Sequence, residues 1–125
     1  MHRLWQICCG VVSALADQVP DTTVAAKLFC GLGDPTRLAI LRLLADGEHR
    51  VTDIVSALDR PQGTISGHLR CLKDCGLVTD RRTGREVHYR IRHAEIVVLL
   101  HSAERLLAVT GETIELCPNY RPEGI

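Results

Sequence analysis

Between Val51 and Ile91 the spacing of apolar residues changes once, and that change constrains the fold more than any other feature of the chain. VTDIVSALD carries Ile54, Val55 and Leu58 at helical spacing with Thr52 in position to cap it, and the turn RPQG leads straight into TISGHLRCLKDC, where Ile65, Leu69 and Leu72 repeat the helical period. Gly76 stands where a helix C-terminus needs a left-handed residue. Beyond it the period becomes two: LVTDRR, a turn at Thr83-Gly84, then REVHYRIR with Val87, Tyr89 and Ile91 on one face. Two short helices across a tight turn, followed by a β-hairpin with arginines at its tip, form a helix-turn-helix with a wing.

The flanking segments are helical. Asp21 is expected to cap a helix through TTVAAKLFCGL, with Val24, Leu28 and Leu32 four residues apart. Asp34-Pro35 starts another, and Leu38, Ile40, Leu41, Leu43 and Leu44 make TRLAILRLLA the main core helix, ending at Asp46-Gly47. From Ala94 to Val109 the chain is apolar on more than one stripe, which calls for a second surface, here a second copy of the chain. The fold class is therefore mainly α with a small β-hairpin, a winged helix-turn-helix that forms a homodimer. Residues 1–20 read as an N-terminal arm, 21–110 as the winged-helix and dimerisation domain, and 111–125 as a tail. Trp5, Phe29, Tyr89 and Tyr120 are all the aromatics, so the core must be aliphatic.

The formal net charge is zero, but it is unevenly spread. Residues 60–92 hold eight Lys/Arg against three Asp/Glu, whereas 1–59 hold five against seven and 93–125 two against five. The positive segment coincides with the second helix and the wing, which is the distribution that phosphate neutralisation needs. In a winged helix the second helix enters the major groove and the hairpin reaches the backbone or minor groove. Gln62, Thr64, Ser66, His68 and Arg70 then offer donors and acceptors to base edges and phosphates, while Lys73, Arg81, Arg82 and Arg85 suit phosphates. The expected partner is double-stranded DNA carrying an inverted repeat.

No apolar run reaches the ~18 residues of a membrane span, and the start of the chain is a weak match to a signal peptide, so a cytoplasmic protein is expected. The six histidines give no catalytic geometry, and no Ser/His/Asp order, phosphate-cradling loop or carboxylate pair appears, so the chain does not read as an enzyme. Six cysteines, Cys8, Cys9, Cys30, Cys71, Cys75 and Cys117, in such a setting point to metal or redox chemistry. Cys71 and Cys75 sit one turn apart, about 40° around the second helix, so both sulfurs can face one ion. Cys30, alone on an apolar helix, reads as a packing residue.

The segment from Gly33 to Ile91, with DPTR before the core helix, S-x-H-L in the second helix, and GLV then G-R-x-V-x-Y in the wing, resembles the ArsR/SmtB family of metal-responsive winged-helix repressors. The resemblance covers about Thr22 to Val109 and implies a dimeric repressor that leaves its operator when metal binds. Members that bind through a C-x-C pair before the turn would need cysteines near Glu48 to Asp53, where there are none. Zinc sensors of the last helix would use four positions that here hold His93, Glu95, Leu106 and Val109, and the last two cannot ligate. HLRCLKDCGLV is instead similar to the CmtR-type cadmium and lead sensors, which implies Cys71, Cys75 and the tail residue Cys117 as ligands. Thiolates favour soft ions such as Cd(II) or Pb(II), with As(III) and Hg(II) also open; Zn(II) would normally need a fourth ligand. Three other readings stay open: an arsenite sensor built on Cys8 and Cys9, a thiol-redox repressor using Cys71–Cys75 or Cys8–Cys9, and an interaction module without DNA binding.

Overall fold

The computed structural model describes residues 20–111 together with Leu116. Element order follows from the local signals: α1 (Pro20–Leu32), α2 (Pro35–Leu44), β1 (His49–Arg50), α3 (Val51–Leu58), α4 (Gln62–Asp74), β2 (Val78–Thr83), β3 (Glu86–Ile91) and α5 (Ala94–Val109). The sheet is antiparallel in the order β1-β3-β2. This is the expected winged helix-turn-helix, with one strand more than the hairpin predicts. His49 pairs with Tyr89 and Arg50 with His88, so the residues just before the helix-turn-helix are stitched to the wing.

Caps account for where the helices begin and end. Asp34 lies outside α2 in an extended conformation and accepts a hydrogen bond at Oδ2 from the Arg37 backbone N–H (3.0 Å), as the Asp-Pro start predicts. Two predicted caps are corrected. Asp21 lies inside α1, because Pro20 with its fixed φ already occupies a helical position. Arg50, not Thr52, caps α3, because β1 delivers the chain in an extended conformation up to Arg50, whose N–H donates to Asp53 Oδ2 (3.3 Å). At the end of α4, Gly76 adopts φ +79°, its N–H donates to the Lys73 carbonyl (3.0 Å), and the Leu77 N–H donates to the Leu72 carbonyl (2.9 Å). That paired return, with glycine in the left-handed region, satisfies two otherwise orphaned carbonyls and turns the chain directly into β2.

The core is aliphatic, as expected. Ile40, Leu41 and Leu44 of α2 pack with Ile54 of α3, with Ile65, Leu69 and Leu72 of α4, with Leu77 and Val78 leading into the wing, and with Ile96 and Leu100 of α5. Val24, in the series with Leu28 and Leu32 on α1, is 74% exposed, and Phe29 of α1 and Val98, Leu106 and Val109 of α5 are exposed with it. The two outer helices thus carry apolar surface that the single chain leaves uncovered. Among the described residues no helix is long and apolar enough to cross a membrane.

Candidate nucleic-acid interface and thiol pair

Helix α4 presents three stripes, and the helical repeat of about 100° per residue separates them. Ile65, Leu69 and Leu72 point into the core. Gln62, Ser66, Arg70 and Lys73 form a second stripe, and together with Arg82, Arg85 and Val87 of the wing and Thr52 of α3 they line an open cavity of about 460 Å³. His68, Cys71 and Cys75 make the third, on the far side of the helix from the cavity, facing α1 and α2.

The groove is cationic. Among the described residues Arg70, Arg82 and Arg85 form no ion pair, whereas Lys73 Nζ is 3.1 Å from Asp80. Arg81 is placed differently from the other predicted contacts. Its Nε and Nη2 donate to both carboxylate oxygens of Glu48 (2.8 and 2.6 Å), and its Nη1 donates to Thr83 Oγ1 (2.7 Å). The hydrogen bond from Arg81 holds the Glu48 carboxyl below its ordinary range. Thr64 is exposed on the first turn of α4, outside the cavity lining. The structure thus brings Gln62, Ser66, Arg70, Lys73, Arg82 and Arg85 together, ties Arg81 to Glu48, and turns His68 inward.

His68 Nε2 is 3.8 Å from Asp34 Oδ2. Burial pushes its pKa down, Asp34 partly offsets this, and Arg37 adds to the lowering. Cys71 accepts a hydrogen bond at Sγ from Arg37 Nη1 (3.0 Å). Arg37 is only 5% exposed, and its Nε is buried without a hydrogen-bond partner. Cys75 lies one turn on, at the C-cap of α4, and a side chain at Gly31 of α1 would meet it, since a Cβ there would stand 3.7 Å from the sulfur. Neither Cys71 nor Cys75 is disulfide-bonded, and both are half-buried. Two soft donors on one helical face, beside a neighbouring position without a side chain, are chemically suited to a thiophilic ion. The described residues supply two such donors and no cluster of three.

Cys8, Cys9 and Cys117 lie outside the described residues. Cys30 is disulfide-bonded, where a packing thiol was expected. Arg37 and Arg50 escaped the sequence reading as site residues. For Arg37 the DPTR motif was the available signal. For Arg50, which lines the cavity and bonds Asp53 and Glu86, the signal is the pairing of β1 with β3.

Residues 34–80 match the family model described as bacterial regulatory protein, arsR family. The chain is 35% identical over 105 residues to a probable mercury resistance operon repressor of Streptomyces lividans, covering 84% of this chain and 82% of that one. It is 48% identical over 66 residues to the arsenical resistance operon repressor of Escherichia coli, covering 52% and 56%, and 37% identical over 104 residues to the transcriptional regulator CmtR of Mycobacterium bovis, covering 73% and 88%. Its fold is similar to a homodimeric winged helix-turn-helix DNA-binding domain of Mycobacterium bovis, with TM-score 0.58 and 34% identity over 87% of this chain and 93% of that one. The chain belongs to the arsR family of bacterial regulatory proteins, winged helix-turn-helix transcriptional regulators rather than enzymes.

Proposed function

We propose that this protein is a cytoplasmic homodimeric repressor that holds an inverted-repeat operator when metal-free and releases it when Cd(II) or Pb(II) is bound by Cys71, Cys75 and Cys117. The observation that carries the reading is the pair Cys71 and Cys75 on α4, neither in a disulfide, on the opposite side of that helix from its cationic groove. Ligands on the rear of the reading helix do not compete with DNA for the same atoms. They act instead on how α4 packs against α1 and α2. A coupling of about 1–3 kcal/mol through that packing is enough to change operator occupancy several-fold to about a hundredfold. Dimerisation is supported by the uncovered apolar residues of α1 and α5 and by the homodimeric relative. DNA contacts are assigned to Gln62, Thr64, Ser66, Arg70, Lys73, Arg82 and Arg85, with His68 and Arg81 acting through Asp34 and Glu48.

A second reading, arsenite bound with the help of Cys8 and Cys9, is favoured by the arsenical repressor among the relatives. Both are tested by titrating the fully reduced protein with Cd(II), Pb(II) or arsenite while following ultraviolet thiolate charge transfer, in wild type and in single Ser variants at Cys8, Cys9, Cys71, Cys75 and Cys117. Loss of a Cd(II) band in Cys71→Ser, Cys75→Ser and Cys117→Ser, with DNA binding intact, supports the first reading. A band that needs Cys8 and Cys9 instead moves the site to the arm and refutes it.

A further inference from the structure

The pleat of the wing sorts its side chains between two faces. Asp80 and Arg82 of β2 stand opposite Tyr89 and Val87 of β3, on the face turned to α4, whereas Arg81 and His88 stand opposite each other on the other face, beside Glu48. Tyr89 belongs to two environments at once. Its half-buried side chain packs against the aliphatic core and also lines the groove with Arg70 and Lys73. Lys73 Nζ is held 3.1 Å from Asp80, the cross-strand neighbour of Tyr89.

Among the described residues the Tyr89 hydroxyl takes part in no hydrogen bond. Burial raises its pKa, Asp80 raises it further, and Lys73 and Arg70 oppose this, so the group stays an O–H donor. A neutral donor on a ring anchored in the core, left open beside two cations, suits a ligand that brings negative charge and acceptor oxygens together. In a DNA groove that ligand is a phosphodiester, and tyrosine hydroxyls are among the donors that phosphates take.

We propose that Tyr89 is a further DNA-contacting residue, forming with Arg70 and Lys73 a seat for one backbone phosphate of each half-site where α4 meets the wing. The proposal rests on the operator-binding reading above and deepens it by adding a positioning contact that reads no sequence. Two donors of the seat come from α4 and one from β3. A phosphate held there fixes helix and wing against the same point of the duplex.

The test uses the full-length protein and the duplex that wild type selects from a random-sequence pool. For wild type and Tyr89→Phe, affinity is measured across a KCl series and on duplexes in which one phosphate at a time is replaced by a neutral methylphosphonate. Tyr89→Phe keeps the ring and is expected to melt with wild type. It should bind about 10-fold more weakly, the size of a hydrogen bond to a charged group, with an unchanged salt slope because no charge is lost. At one phosphate per half-site the methylphosphonate penalty should shrink in Tyr89→Phe, and at the others it should stay the same. Wild-type affinity in Tyr89→Phe, or a loss that leaves every methylphosphonate penalty unchanged, would overturn the seat and leave DNA binding standing. A clearly lower melting temperature would give the hydroxyl a partner inside the fold and overturn it too. A wild type that selects no duplex removes the operator-binding reading and the seat together.

Discussion

Glu48 grips Arg81 through both carboxylate oxygens, at 2.8 and 2.6 Å, and so ties the segment leading into the helix-turn-helix to the wing. An arginine that the sequence offers to phosphates is thereby employed inside the protein. Glu48→Gln weakens this grip and leaves Arg81 available to DNA. The expected result is a steeper salt dependence of operator binding, by about 0.9 in log–log slope for one added phosphate contact, with little change in thermal stability. Fluorescence anisotropy across a KCl series measures the slope; an unchanged slope would mean that Arg81 already reaches phosphate or never can.

Arg70 and Arg85 line the groove from opposite walls, one on α4 and one at the tip of the wing. Replacing either with Ala should reduce the salt slope by roughly one contact per protomer and weaken binding to all sequences. The charge-transfer band should not change, because the thiol stripe lies on the other side of α4. A variant that loses metal binding as well as DNA binding would contradict this separation of faces.

His68 has its pKa lowered by burial, so the folded state prefers the neutral ring while the unfolded chain titrates near 6.5. The unfolded state therefore binds more protons in the window below 6.5, and stability rises with pH there. It is full above that value and is lost as pH falls through the depressed folded value. Melting temperatures at about pH 8 and about pH 5.5 should differ more for wild type than for His68→Gln. Equal differences would assign the acid sensitivity to other groups.

A Cβ at Gly31 would stand 3.7 Å from Cys75 Sγ and 3.9 Å from Leu77 Cδ1, which is ordinary contact. Gly31→Ala should fold, with a gain of up to about 1 kcal/mol from helix propensity, read as a higher denaturation midpoint. Gly31→Val adds two methyl groups beside the sulfur and is expected to weaken the Cd(II) charge-transfer band. Normal metal binding in Gly31→Val would show that the ion approaches Cys75 from elsewhere.

Leu106 and Val109 stand 65% and 84% exposed on α5. A charged residue at either, such as Leu106→Arg, should convert the dimer to a monomer in sedimentation velocity and abolish high-affinity binding to a two-half-site duplex. A dimer that persists would move the interface away from the end of α5.

Local signals made much of this structure legible in advance. Periodicity located α3, α4 and the hairpin, and Asp34-Pro35 marked the start of α2 through capping chemistry that acts over three residues. What stayed hidden depends on partners far apart in sequence. Strand β1 is two residues long and exists only because β3 lies beside it. Glu48 and Arg81 are 33 residues apart, and Arg37 and Cys71 are 34. The composition of α4 announced polar and thiol side chains, but only its packing against α1 and α2 shows that His68 belongs with the cysteines and not with the groove. The third predicted ligand, Cys117, lies outside the described residues.

The glycine return at the end of α4 has a consequence for how such a regulator lets go. With Gly76 and Leu77 bonded back to Lys73 and Leu72, and the Arg92 N–H bonded to the Leu77 carbonyl, the backbone between helix and sheet is hydrogen-bonded throughout. The end of the reading helix and the start of the wing are thereby bonded to each other beside Cys75. A state in which the wing still clasps the backbone after the helix has left the groove would require that return to break. A helix that tilts is thus expected to carry the start of the wing with it, a coupling that turns on one left-handed residue.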